Sequence, residues 1–119
     1  MVLVDTSVWV SHLRQGNARL ERLLNLGQVM CHPFITGEIA CGNIRNRVEI
    51  IALFKSLPPA IEASHDEVLT FIETNRLMGK GLGYVDIHLI ASALLTAIPI
   101  WTHDRKLAQV ADALHMSYR

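Results

Sequence analysis

The chain opens on Met1-Val2-Leu3-Val4-Asp5, an apolar run closed by a carboxylate. Val2, Leu3 and Val4 do not alternate with polar residues, so the run suits a strand buried on both faces rather than one half exposed to water. Strands of that kind belong to parallel sheets whose faces are covered by helices. In open α/β sheets ligands bind beyond the carboxyl ends of the strands, which is where Asp5 falls. The first five residues thus direct the fold toward α/β and the search for a site toward Asp5.

The rest of the chain continues that alternation. Asp5-Thr6-Ser7 are cap and first-turn residues and open a helix through about Arg14. After Gln15-Gly16-Asn17, a short helix with Leu20, Leu23 and Leu24 runs to Gly27, and Gln28 to Cys31 is expected as a second strand. Pro33 suits the first turn of the next helix, which carries Glu38. Gly42-Asn43 separates it from a helix holding Val48, Ile51, Leu53 and Phe54, which Pro58-Pro59 ends. Ala60 to Ala63 is expected as a third strand. The capping box Ser64-His65-Asp66-Glu67 then opens a helix that turns Val68, Leu69, Phe71 and Ile72 inward and ends near Gly79. The most apolar helix spans Tyr84 to Ala97, with Ile98 to Trp101 as strand four, Asp104 to Leu114 as a closing helix, and His115 to Tyr118 as a short last strand. Strands alternating with helices imply a parallel sheet with right-handed crossovers and helices on both faces.

Composition narrows the function classes. A chain of 119 residues fits one domain with a single core. Lys plus Arg and Asp plus Glu stand at 11 each, so no overall basic field attracts polyanions, and any such contact is local. Cys31 and Cys41 match no zinc or redox spacing and read as reduced thiols, small core residues of a cytoplasmic protein. No stretch reads as a signal peptide or a membrane span.

Four acids stand out. On the helix from Tyr84 to Ala97, His88, Ser92 and Thr96 fall on one polar stripe, read as the solvent side. Asp86 aligns with Leu89, Ile90, Ala93 and Ala97 on the other, apolar side. An acid on a buried helix face is costly unless a cation meets it. Glu38 repeats the pattern, with Phe34, Ile35, Cys41 and Gly42 three or four positions away. Asp104 follows strand four and falls at the same sheet edge as Asp5 if the strands are parallel. Taken singly, each acid has a structural use: Asp5 and Asp104 as N-caps, Asp86 at a helix dipole, Glu38 paired with Arg45 or Arg47. Taken together they describe an all-oxygen site for a hard divalent cation, Mg²⁺ or Mn²⁺, since clustered carboxylates repel one another without one.

Other features carry less. Gly79-Lys80-Gly81-Leu82-Gly83 lacks the phosphate-loop pattern and reads as a helix C-cap and turn, and His32, His88 and His103 read as surface histidines. Arg45, Arg47, Lys80, Arg105 and Lys106 are the candidate phosphate contacts around the acids.

The pattern resembles the PIN-domain family, and most closely the VapC-type toxins of toxin-antitoxin pairs. The resemblance covers the whole chain. It rests on Val-Leu-Val-Asp-Thr-Ser-Val-Trp at 2 to 9, Thr36-Gly37-Glu38-Ile39, Gly81-Leu82-Gly83-Tyr84-Val85-Asp86 with the residues to Ser92, and Trp101-Thr102-His103-Asp104-Arg105-Lys106-Leu107. It implies a single PIN-like domain over 1–119: a three-layer α/β/α fold whose mostly parallel sheet has four or five short strands with helices on both faces. It implies an acidic quartet at Asp5, Glu38, Asp86 and Asp104, with Thr6 and Thr102 as accompanying hydroxyls. It further implies a Mg²⁺-dependent endoribonuclease, with Mn²⁺ as a possible substitute. Such a toxin would be held by a cognate antitoxin, commonly as a homodimer, and would act on RNA in the cytoplasm. The rival reading is a non-catalytic α/β module that uses the acids for metal binding or for protein interaction. A response regulator of flavodoxin-like fold would need paired acids after strand one, whereas Asp5 stands alone there.

Overall fold

The computed structural model describes residues 1–119. The elements follow as β1 (Val2–Val4), α1 (Thr6–Gln15), α2 (Ala18–Asn25), β2 (Val29–Met30), α3 (Pro33–Cys41), α4 (Arg47–Ser56), α5 (His65–Asn75), α6 (Tyr84–Thr96), β3 (Ile100–Trp101) and α7 (Arg105–Ala113). The sheet has the order β2-β1-β3 with both pairings parallel. Central placement of β1 explains its unbroken apolar run. Val2, Leu3 and Val4 point alternately to opposite faces, yet all three are buried, so both faces of the sheet are covered. Trp9 of α1, Ile35 of α3, Phe54 of α4, Leu89 and Ile90 of α6 and Leu107 of α7 are buried in the same core.

The sheet has three strands, not the four or five expected. Residues 60–63 and 115–118 form no strand, and His115 sits in a turn with φ 58°. What remains of the expected pairings is two isolated parallel bridges, Cys31 with Pro59 and Ile100 with Ser117. The physical reason at the first is proline: Pro58 and Pro59 donate no backbone hydrogen, so only the Pro58 carbonyl and the Ala60 N–H bond to Cys31.

Three helix expectations change in detail. α5 stops at Asn75 rather than near Gly79, because Arg76 enters the left-handed region (φ 52°) and turns Leu77 back into the core. Leu69 on α5 is 45% exposed instead of packed inward. The His88, Ser92 and Thr96 stripe of α6 is not the solvent side: His88 and Ser92 are buried. The extended segment after the prolines lies over it, and Thr96 Oγ1 accepts a bond from Ile61 N at 2.9 Å. Edge contacts of Phe34 and Tyr84 with the His88 ring close its other end. His32 is buried as well, its Nδ1 accepting from Phe34 N in the first turn of α3, so neither it nor His88 is a surface histidine. Cys31 is a core residue as expected, whereas Cys41 is exposed.

Candidate active site

Asp5 occupies the N-cap position of α1 but does not cap it with its side chain. Its carboxylate, in a residue only 5% exposed, is instead gripped by two hydroxyls: Ser7 Oγ and Thr102 Oγ1 each donate to Oδ2 at 2.7 Å. Both hydroxyl protons being committed to Asp5, the hydroxyl oxygens act as acceptors for the turn after β3. Ser7 Oγ takes the N–H of His103 at 2.9 Å and Thr102 Oγ1 that of Asp104 at 3.0 Å. The end of β1 and the turn 102–104 are thereby stitched into one unit, with Asp5 N bonded to Trp101 O at 2.8 Å beneath it.

The remaining acids are each tied by one oxygen. Asp104 caps α7, its Oδ1 accepting from Leu107 N at 2.9 Å. Glu38 takes Thr6 Oγ1 on Oε1 at 2.6 Å, joining α3 to the first turn of α1. Asp86, in the first turn of α6, accepts from Gly83 N on Oδ2 at 3.3 Å. The second oxygen of each carboxylate accepts nothing from the protein, and none of the four has a cationic partner. The chain's one ion pair joins Arg119 to Asp112. The Glu38 pairing with Arg45 or Arg47 does not form. The Arg47 guanidinium instead caps the C-terminal carbonyls of α3 at Ala40 and Gly42.

Burial raises the Asp86 carboxyl above the usual carboxylate range. The Gly83 N–H opposes this, and the charges of Asp5, Asp104 and Glu38 add to it. Asp5, Asp104 and Glu38 are thus near enough to Asp86 to act on it through their charges. Two of the four sit differently from expectation: Asp86 is half-buried rather than on the core face of its helix, and Glu38 is exposed. Around Asp86, Leu89, Ile90 and Ala93 are buried as expected, whereas around Glu38 only Ile35 is buried and Phe34, Cys41 and Gly42 are exposed. No three of the chain's acids, histidines and cysteines stand close enough together to hold a metal ion as their side chains are placed.

Of the expected supporting hydroxyls, Thr6 and Thr102 both contact acids. Ser7 is the residue sequence reasoning missed. Its signal, a hydroxyl two positions after Asp5, is indistinguishable from an ordinary cap until the turn at 102–104 is known to lie beside it. Lys80, Arg105, Lys106 and Arg45 are exposed and unpaired.

Comparison with known proteins agrees with this geometry. The family profile described as PIN domain matches residues 2–113. The chain therefore belongs to the PIN-domain family. It is 44% identical over 108 residues to proteins named Ribonuclease VapC32 from two strains of Mycobacterium tuberculosis, CDC 1551 / Oshkosh and H37Rv. The match covers 90% of this chain and 87% of each relative, which makes the chain a VapC-type member. Among solved structures, that of PAE2754 from Pyrobaculum aerophilum superposes with a TM-score of 0.57 at 15% identity, over 95% of this chain and 85% of the other, a likeness of fold.

Proposed function

We propose that the chain is a Mg²⁺-dependent endoribonuclease that cleaves RNA phosphodiesters as the toxin of a toxin-antitoxin pair, residues 1–119 working as one domain. The observation that carries this reading is the state of the four carboxylates, each held by a protein donor on one oxygen and free of any protein partner on the other. Acids held in that way repel one another and gain a use only when a cation arrives.

The donor chemistry fits a hard ion: oxygen only, with no cysteine or histidine among the four. Mg²⁺ is usually bound through one or two carboxylates and keeps several waters, so it requires no closed group of protein ligands. Mn²⁺ would substitute. Asp5, Asp86 and Asp104 would hold the metal, and Glu38, steadied by Thr6, would hold it or orient the attacking water. A bound divalent ion makes its water more acidic and neutralises charge on the leaving oxygen. The chain's own part is preorganisation. Ser7 and Thr102 fix Asp5 and the turn carrying Asp104 together, so the carboxylates are aligned before substrate binds.

Substrate and inhibitor follow from the surroundings. Arg45, Arg105, Lys80 and Lys106 are the cations available to RNA phosphates. A groove of about 560 Å³ walled by Val10, Leu13, Ile39, Ile44 and Ile50 runs up to Glu38. An antitoxin segment with an apolar face lying in it would bring a basic side chain to the acids. The toxin acts in the cytoplasm as a homodimer. No helix is long and apolar enough to cross a membrane.

The test is cleavage of total RNA by the purified protein with Mg²⁺ and with chelator, followed by mapping of the new ends. Asp5→Asn and Asp86→Asn each abolish cleavage while remaining folded. Cleavage at wild-type rate by either variant overturns the assignment.

A further inference from the structure

We infer that the groove between residues 77–82 and α7 is a phosphate subsite that holds the RNA strand beside the acids, with Lys106 and Lys80 as its cations. This rests on the ribonuclease reading for the identity of the anion. The groove itself is a separate observation: about 240 Å³ lined by Leu77, Lys80, Lys106 and Gln109 among others, with no carboxylate in its wall.

The placement of Lys106 runs against its local preference. Arg105 and Lys106 open α7, at the positive end of the helix dipole where cations are disfavoured, and no acid shares that first turn. Neither forms an ion pair, although the Asp104 carboxylate caps the same helix. What holds Lys106 is packing over Gly81. A Cβ built on Gly81 would stand 2.7 Å from Lys106 Cδ and 2.8 Å from Nζ, so the lysine end lies over Gly81, whose φ of +80° favours glycine. The ammonium therefore lies against bare backbone and pairs with no carboxylate.

Sequence position fixes where this cation stands relative to the proposed chemistry. Lys106 is two residues past Asp104, and Gly81 is two residues before Gly83, whose N–H meets Asp86. Lys106 therefore marks the end of the groove nearer in sequence to Asp86 and Asp104, and Ala113 and Leu114 mark the other. A single strand whose scissile phosphate faces the acids would set a flanking phosphate between Lys106 and Lys80. The neutral overall charge makes such a local pair the effective contact.

The test is titration of a labelled single-stranded RNA oligonucleotide into the non-cleaving Asp5→Asn protein with Mg²⁺ at several salt concentrations. Lys106→Ala and Lys80→Ala are compared with Arg22→Ala, a remote exposed cation on α2. Each groove variant should weaken binding about fourfold at ~0.15 M salt and lower the slope of log affinity against log salt by ~0.7, the value for one phosphate contact on a single strand. Lys106→Arg should restore binding, and Arg22→Ala should leave it unchanged. Equal losses in Lys106→Ala and Arg22→Ala, with both folded by circular dichroism, overturn the subsite. So does loss of inorganic phosphate binding in Lys106→Ala with RNA binding intact, which would make the groove a free-anion site. The two readings fail separately. Wild-type protein that cuts no RNA but binds it through Lys106 loses the ribonuclease assignment and keeps the subsite, whereas active protein with normal binding in Lys106→Ala loses the subsite alone.

Discussion

Replacing Thr102 by Val tests the stitching of the site directly. Valine keeps the shape of threonine, so no cavity opens, and the change removes one O–H···O⁻ bond of 2.7 Å to a carboxylate that is 5% exposed. A hydrogen bond to a charged group contributes about 1.5–3 kcal/mol net. Two features place Thr102→Val at the low end. Ser7 Oγ still donates to the same oxygen, and the Asp104 N–H that loses its acceptor is exposed and can bond to water. We expect a loss of about 1.5–2 kcal/mol, which for a chain of this size lowers the melting temperature by roughly 5–10 °C. Thr102→Ser should retain most of the stability. The double variant Ser7→Ala, Thr102→Val leaves Asp5 without either donor, so its loss should exceed the sum of the single losses by about 1 kcal/mol or more. Urea denaturation in the presence of chelator measures wild type, Thr102→Val, Thr102→Ser, Ser7→Ala and the double variant. A Thr102→Val protein within about 0.5 kcal/mol of wild type, together with strict additivity in the double variant, would refute the argument that these hydroxyls hold a buried charge.

Asp86→Asn should stabilise the metal-free protein at neutral pH by a few tenths to about 1 kcal/mol, a small effect because the carboxyl is half open to water. The sign follows from its raised pKa, caused first by burial and then by Asp5, Asp104 and Glu38. The folded state binds this proton more tightly than the unfolded chain, so the associated stability is present below the ordinary carboxylate range and is lost as pH rises through the raised value. The gap between variant and wild type should therefore narrow on acidification, and a variant less stable than wild type at pH 7 in chelator would contradict it. Mg²⁺ at ten times its dissociation constant should raise wild-type stability by about 1.4 kcal/mol and leave Asp5→Asn nearly unmoved, read from unfolding midpoints. At the C-cap of α6, exposed Ala97 holds φ 60°, where a Cβ is unfavourable; Ala97→Gly should add about 0.5–1 kcal/mol, and an unchanged or lower denaturation midpoint would count against that.

Local pattern carried much of this protein. The apolar run at Val2–Val4 follows from burial on both faces of a central strand, and the Ser64 capping box forms as its spacing requires. The four acids stood out because a carboxylate among apolar neighbours needs a reason; at Asp86 the structure supplies a local one, the Gly83 N–H, and at Glu38 a distant one, the Thr6 hydroxyl. Tertiary structure decided what spacing leaves open. Whether Ala60–Ala63 pairs as a strand depends on partners beyond two prolines, and whether the His88–Ser92 stripe meets water depends on a segment folding over it from a distance of some thirty residues. Ser7 gained its role only when β1 and β3 became neighbours, because a hydroxyl proton reaches one acceptor and sequence alone does not reveal which. The chemistry of the site therefore lay in residue type and spacing, while its alignment came from hydrogen bonds between residues 95 or more positions apart, which only the closed sheet can form.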